Sequence, residues 1–147
     1  MIEGGTIMGK INYVRVLLGG LLAGLIINIS EYILNEPILG ADWQAALQAR
    51  NLPEFGSAAI AWFIVLGFVL GILGVWIYAA IRPRFNPGPK TALCAGATVW
   101  ALAYAYPTVG FGVMEFFPAK IIWWGLIWGL IELLVATVAG AWLYKEA

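Results

Sequence analysis

GLLAGLIINISEYILNE, residues 20–36, is the stretch that decides how this chain folds. It begins as an apolar helix with two glycines four residues apart. It then places Asn28, Ser30 and Glu31 where a transmembrane helix would still lie in hydrocarbon. An ionisable group inside a membrane span is costly, and by default it marks a functional site. Only one other acid lies deep in an apolar stretch, Glu132 in the last one. The interpretation of the chain depends on these two carboxyl groups.

The composition is that of a membrane protein. Of the 147 residues, 63 % are hydrophobic and 11 % are charged, whereas a soluble domain has about 45–50 % apolar and about 25 % charged residues. This excess excludes a water-soluble fold and predicts a polytopic membrane protein. The formal net charge is zero, so we expect no nucleic-acid partner.

The residue types exclude several kinds of chemistry. The chain has no histidine and a single cysteine, Cys94. It can therefore form no intrachain disulfide, no His-ligated haem, no multi-cysteine cluster and no nucleophile that depends on histidine. Carboxylates and carbonyls could still bind a hard cation. We expect no catalytic residues, no cofactor and no metal centre.

Four apolar stretches are long enough to cross a bilayer, which takes about 20 residues each. They cover residues 13–34, 57–81, 91–110 and 121–144. The predicted fold is an all-α membrane protein, a single domain built as a four-transmembrane-helix bundle. No small-x-small cleavage site follows the first apolar run, so we predict a retained span and not a signal peptide. Met1 and Met8 are both candidate start residues.

Basic residues predict the orientation, because short cytoplasmic loops carry an excess of Lys and Arg. The termini and the middle loop lie on one side, and this side holds most of the cations. They are Lys10, Arg15, Arg82, Arg84, Lys90 and Lys145, against Arg50 and Lys120 on the other side. Both termini are therefore predicted to be cytoplasmic. Aromatic residues predict two interface belts, Tyr13, Trp76, Tyr78, Trp142 and Tyr144 on the inner side and Tyr32, Trp43, Trp62, Tyr106, Trp123 and Trp124 on the outer side.

The first outer loop is predicted to contain a short helix. Pro37 should end the first span, and Asp42 is placed to be the N-cap of the short helix. Two interpretations stay open for it: a helix lying flat on the outer leaflet, or a lid over a site near Glu31. A second, apolar outer loop is expected over residues 108–118.

Small residues four apart occur in every span, and they predict close helix packing. The first helix has Gly20 and Gly24, and its ridge continues through Asn28 and Glu31. The fourth helix carries Glu132 on its own ridge of small residues, with Gly125, Gly129, Ala136 and Gly140. Both acids are therefore predicted to lie on packing faces and not on the lipid side.

The candidate polar site within the membrane consists of Glu132, Glu31, Asn28 and Ser30. At 1.5 Å per residue, Glu31 lies roughly 10 Å closer to the outer surface than Glu132. We expect Asn28 to reach Glu132 and Glu31 to open toward the outer loops. Three roles stay open for Glu132: a protonated group bonded to Asn28, Ser30, Thr98 or a carbonyl; a proton- or cation-binding group; or a contact to a partner subunit.

In its length, its four-span layout and the stretch PILGADW at residues 37–43, the chain resembles small bacterial four-helix integral membrane proteins of unknown function. The resemblance implies a location in the bacterial inner membrane. It implies nothing about activity.

Short loops, the lack of catalytic residues and the small-residue ridges favour a non-catalytic integral membrane protein. Its partners would be the lipid bilayer and either further copies of itself or a larger membrane complex. The alternative is a small oligomeric proton- or cation-linked transporter or channel that uses Glu132 and Glu31. A third class, an enzyme or a lipid- or quinone-binding protein, needs a groove beside a carboxylate, lined by Trp100, Trp124 or Trp128.

Overall fold

The computed structural model describes residues 10–146, so the candidate start residues Met1 and Met8 lie outside the described part. Within this range the chain consists of helices joined by turns and short irregular segments, and it contains no strand. The α-helices are α1 Tyr13–Ile33, α2 Gly40–Gln48, α3 Ser57–Phe85, α4 Pro89–Trp100, α5 Tyr106–Val113 and α6 Ala119–Leu143. Four runs of helix are long and apolar enough to cross a membrane, namely Tyr13–Ile38, Ser57–Phe85, Pro89–Val113 and Ala119–Leu143.

Two π-helical turns extend these runs beyond the expected ends. The first, Leu34–Ile38, follows α1 and is closed by the Leu39 amide, which donates to the Leu34 carbonyl at 2.9 Å. The second, Ala101–Ala105, joins α4 to α5. A proline lies at each turn, Pro37 in the first and Pro107 just after the second. Proline removes a regular i→i−4 hydrogen bond, and the wider turn accommodates the loss.

The first helical run ends at Ile38, one residue after Pro37, close to the end that this proline predicts. Two other expectations about helix ends are wrong. The outer loop expected over residues 108–118 begins later, since α5 continues to Val113. Asp42 is not the N-cap of α2, because Leu39 occupies that position and Asp42 lies in the first turn. There the Asp42 carboxylate accepts a hydrogen bond from Lys120 Nζ at 2.7 Å.

Glycines allow the backbones of α1 and α3 to touch where the two helices cross. A Cβ atom built on Gly71 of α3 would lie 2.5 Å from the Gly20 carbonyl oxygen and 2.7 Å from the Gly24 Cα atom. No side chain fits there, so the ridge predicted on α1 is the surface on which α3 packs. Small residues allow this close approach.

The last helix, α6, packs against α1, α3 and α4. A Cβ atom on Gly140 would lie 2.6 Å from the Gly19 carbonyl oxygen of α1. On α4, Gly96 faces the Leu133 carbonyl, where a Cβ atom would lie at 2.8 Å. From Gly129 to Gly140 the predicted ridge of α6 is therefore buried between its neighbours. It carries Glu132 into the interior, with 4 % of the residue exposed.

The short helix α2 covers one end of the bundle, which we call the capped end. The buried residues of α2 are Ala46 and Leu47. Arg50 Nη2 donates to the Glu115 carbonyl at 2.8 Å, which ties the helix to the loop before α6. The Trp43 ring packs edge-on against Phe117, with ring centroids 5.2 Å apart. Helix α2 is thus held across the bundle by contacts to the second loop.

The predicted inner belt is only partly exposed. Trp142 and Tyr13 point outward, with 82 % and 69 % of each exposed. Tyr78 and Tyr144 are instead 5 % exposed each and pack edge-on, with ring centroids 5.9 Å apart. These two tyrosines close the bundle end opposite the capped end. Tyr78 and Tyr144 therefore face the interior of the bundle, unlike Trp142 and Tyr13.

Candidate functional site

The two acids singled out in the sequence meet at one tyrosine. The Tyr104 hydroxyl oxygen lies 2.6 Å from Glu31 Oε1 and 3.1 Å from Glu132 Oε1. Glu31 comes from α1 and Glu132 from α6, while Tyr104 belongs to the π turn between α4 and α5. Three separate segments of the chain therefore supply one cluster, which we call the Glu–Tyr–Glu cluster.

Local backbone geometry brings Tyr104 to this position. A π turn inserts an extra residue, which rotates the following side chains by about 100° relative to a regular helix. Gly129 of α6 provides the space for the ring, because a Cβ atom there would lie 2.5 Å from Cδ1 and 2.7 Å from Cε1 of Tyr104. Any other residue at position 129 would collide with the ring. Isolated π turns are rare in proteins and frequent at functional sites.

Hydrogen bonds extend the cluster toward the capped end. Asn35 Nδ2 donates to Glu31 Oε2 at 2.6 Å, and Trp43 Nε1 donates to Asn35 Oδ1 at 2.8 Å. Asn35 lies in the first π turn, so each π turn positions one member of the network. Of the two interpretations left open for α2, this contact favours the lid, because Trp43 of α2 is bonded to the side chain that holds Glu31.

The number of protons in the cluster constrains its state. A tyrosine hydroxyl has one proton to donate, yet it faces an oxygen of each acid. Both contacts are full hydrogen bonds when one carboxyl group carries a proton and donates it to the tyrosine oxygen. The bond from Tyr104 to Glu31 is the shorter of the two, at 2.6 Å, a length typical of a hydroxyl that donates to a carboxylate. These distances fit a proton on Glu132 and an ionised Glu31.

The second oxygen of Glu132 has no partner. Glu132 Oε2 is buried and makes no hydrogen bond. It adjoins a cavity of about 240 Å³ between α1 and α6. Ser30 and Trp128 also line this cavity, where Trp128 Nε1 donates to Ser30 Oγ at 2.8 Å. Burying a polar atom without a partner costs free energy, so this oxygen is available to a ligand.

The remaining expectations about the site have mixed outcomes. Asn28 does not bond Glu132, since its Nδ2 donates to the Gly24 and Ile64 carbonyls at 2.9 and 3.1 Å. Thr98 is exposed and donates to the Cys94 carbonyl, so it is no partner of Glu132 either. Ser30 adjoins Glu132 through the cavity that both line. Glu31 is half-buried and is connected to the first outer loop through Asn35 and Trp43, while its other oxygen accepts from Tyr104.

The sequence analysis predicted neither Tyr104 nor Asn35 as a member of the site. The signal for Tyr104 was weak: a tyrosine inside an apolar run, three residues before a proline. The single cysteine, Cys94, is exposed and lies outside the cluster. Within residues 10–146, no three His, Cys, Asp or Glu side chains are grouped closely enough to hold a metal ion.

No protein-family model, curated protein or solved structure matches the chain. What the site can do therefore follows from its own geometry.

Proposed function

We propose that the chain is a bacterial inner-membrane protein with four transmembrane helices and both termini in the cytoplasm. Four apolar helices of sufficient length support the spans. The distribution of Lys and Arg supports the orientation, and the resemblance to small four-helix membrane proteins supports the inner membrane. The capped end, with α2, then faces the outer side. This topology can be tested by fusing to the C-terminus a reporter that is active on only one side of the membrane.

Within that membrane the protein is a small proton-linked transporter or channel, and the Glu–Tyr–Glu cluster is its proton-handling site. The observation that carries this proposal is that one tyrosine hydroxyl is within hydrogen-bond distance of both acids, the buried Glu132 and the half-buried Glu31. Ionisable groups inside a membrane are expensive and mark proton relays and ion pathways. Here the Tyr104 hydroxyl lies between the two acids and can connect them.

A proton crosses the cluster in two coupled movements. Glu132 gives its proton to the Tyr104 oxygen, while the Tyr104 proton passes to Glu31. The tyrosine regains the proton that it loses, so the net change is one proton moved from Glu132 to Glu31. Asn35 and Trp43 only donate N–H groups to this chain. They hold Glu31 in place and do not relay protons.

Proton flux into proteoliposomes, followed with an enclosed pH-sensitive dye, tests the function. Glu132→Gln and Glu31→Gln should each reduce the flux at least tenfold, because an amide cannot exchange a proton. Glu54→Gln is the matched control, since Glu54 is an exposed loop acid and its substitution should leave the flux unchanged. Wild-type flux equal to that of protein-free liposomes, or full flux through Glu132→Gln, would refute the proposal.

A second candidate function, a self-associating bundle or an accessory subunit of a membrane complex, is supported by a different surface. A shallow groove of about 620 Å³ runs along the outside of the π turn and α5, and three of its lining residues, Ala101, Ala105 and Gly110, are small. Small residues on an outward face allow another helix to approach.

Measuring the molecular mass in detergent tests this association. Ala101→Trp should lower the mass of the assembly, whereas Ala58→Trp, at an exposed position of α3, should not. A monomeric wild-type protein would refute self-association.

A further inference from the structure

The cavity beside Glu132 opens on the side of the bundle and not at either end. Two of its lining residues on α6, Ile131 and Val135, have 59 % and 56 % of their surface exposed. The opening therefore lies on the outward apolar face that the proposed function assigns to lipid. The complete lining is Ile26, Ser30, Trp128, Ile131, Glu132 and Val135. We call this cavity the lateral groove.

The floor of the lateral groove is polar. Glu132 is 4 % exposed, and its two oxygens have different surroundings. Oε1 faces the Tyr104 hydroxyl, while Oε2 is buried without a partner. Ser30 Oγ accepts one hydrogen bond from Trp128, and a hydroxyl oxygen can accept a second. Two free acceptor positions therefore lie at the bottom of an otherwise apolar groove.

We propose that the lateral groove binds the charged end of an organic ammonium ion that carries a hydrocarbon chain and enters from the bilayer. The proposal rests on the proposed function, because it names the substrate class of the same site. An ammonium group has three donors and no acceptor, which matches the two free acceptor positions.

Anionic and purely apolar ligands complement the lateral groove less well than an ammonium ion. None of the six lining residues is basic, so an anionic head group would face a carboxyl group with no counter-charge. A purely apolar ligand would fill the groove but would leave Glu132 Oε2 without a partner. Only a cationic donor both supplies the missing bond and complements the ionised carboxylate.

The size of the groove limits what it encloses. Its volume of about 240 Å³ is below the roughly 300–1,000 Å³ of pockets that enclose drug-sized ligands. The ammonium group and its first carbons are enclosed, and a longer chain continues over Ile131 and Val135 into lipid. The binding site is therefore selective for the head group and tolerant of the tail.

Binding of the cation displaces the proton on Glu132. The ammonium ion carries the same charge as that proton, so the charge of the site is unchanged when one replaces the other. The released proton leaves by the Tyr104 hydroxyl toward Glu31. Cation entry and proton exit are thereby linked at one carboxyl group, and the protein exchanges the two.

Titration calorimetry on the full chain in phosphatidylcholine nanodiscs tests the inference, with empty nanodiscs as the reference. The probes are n-hexylamine, n-hexanol and n-hexanesulfonate, which share a chain length and differ in charge. We expect saturable binding of hexylamine alone. Glu132→Gln should weaken it about tenfold to a hundredfold, the range that corresponds to one hydrogen bond to a charged group.

A pair of variants on α6 keeps the test decisive if Glu132→Gln does not fold. Ile131→Trp puts a large side chain at the mouth of the lateral groove and should abolish hexylamine binding. Ile127→Trp is the matched control, because Ile127 lies one turn away, is also 59 % exposed and does not line the groove. Equal hexylamine affinity of these two variants would overturn the inference.

The other outcomes separate this inference from the proposed function. Hexanol or hexanesulfonate binding as tightly as hexylamine would overturn the ammonium site. The wild-type protein could instead be a dimer that binds no hexylamine and that becomes monomeric in the Ile131→Trp variant. This result would mean that a second copy fills the lateral groove, and it would also overturn the ammonium site. Proton flux that depends on Glu132, without hexylamine binding, refutes the inference alone. Hexylamine binding without proton flux refutes the proton-transfer function alone.

Discussion

Substituting Gly129 by alanine should disrupt the Glu–Tyr–Glu cluster, although it replaces none of the three residues of the cluster. The new Cβ atom would lie 2.5 Å from Cδ1 of Tyr104, and ordinary contact begins at 3.4 Å. The Tyr104 ring must therefore move away from residue 129 by the difference between these two distances. A comparable movement of the hydroxyl takes its 3.1 Å distance to Glu132 Oε1 beyond hydrogen-bond range, about 3.5 Å.

The expected cost of Gly129→Ala is about 1–3 kcal/mol of stability, the usual range for overpacking a well-packed interior. Proton flux should fall at least tenfold, because Tyr104 no longer connects the two acids. Gly125→Ala is the matched control, since it lies one turn away on α6 and an added Cβ atom there meets nothing within 4 Å. It should be neutral or stabilising by up to about 1 kcal/mol, because alanine is the better helix former.

Thermal unfolding in detergent and flux in proteoliposomes measure the two effects. Adding Tyr104→Leu should reduce the destabilisation by Gly129→Ala, since leucine has no ring to collide with the new methyl group, and should not restore flux. This non-additivity is expected of residues in contact. If Gly129→Ala is as stable and as active as Gly125→Ala, Tyr104 does not pack on Gly129 and the reasoning fails.

Three further predictions follow from the packing and the hydrogen bonds. Tyr104→Phe keeps the ring and removes the hydroxyl, so proton flux in proteoliposomes should fall at least tenfold. The free energy of unfolding should fall by only about 1–3 kcal/mol. Unchanged flux would mean that Tyr104 does not connect the two acids. Gly71→Ala should cost about 3 kcal/mol or more in thermal unfolding, because the new methyl group meets the backbone of α1, which cannot rotate away. Asp42→Asn breaks an ion pair in which Lys120 is 55 % exposed, so the loss should be at most about 1 kcal/mol at low salt and smaller at high salt; a larger loss would mean that this pair holds α2 in place.

The helices and most of their packing faces could be predicted from the sequence alone. Four runs of sufficient apolar length predicted four helices that could cross a membrane, because a helix pairs its backbone polar groups within itself, and the structure has four such helices. Because residues three and four apart share a helix face, the glycines of α1 and α6 predicted where the backbones approach. The same spacing predicted that Glu31 and Glu132 point into the bundle. Glu132 lies there, 4 % exposed, and Glu31 is bonded to Asn35 and Tyr104.

The hydrogen-bond partner of each polar side chain depends instead on how the helices cross. Asn28 shares the ridge of α1 with Glu31, yet it bonds the Ile64 carbonyl of α3 and not Glu132. Tyr104 and Asn35 lie on π turns, where the 3.6-residue period that sequence reasoning assumes is interrupted. A shift of one residue turns a side chain by about 100°, so periodicity could not predict which face Tyr104 would occupy. Spacing along a helix determines which groups are buried, whereas the crossing of three separate segments determines which of them meet.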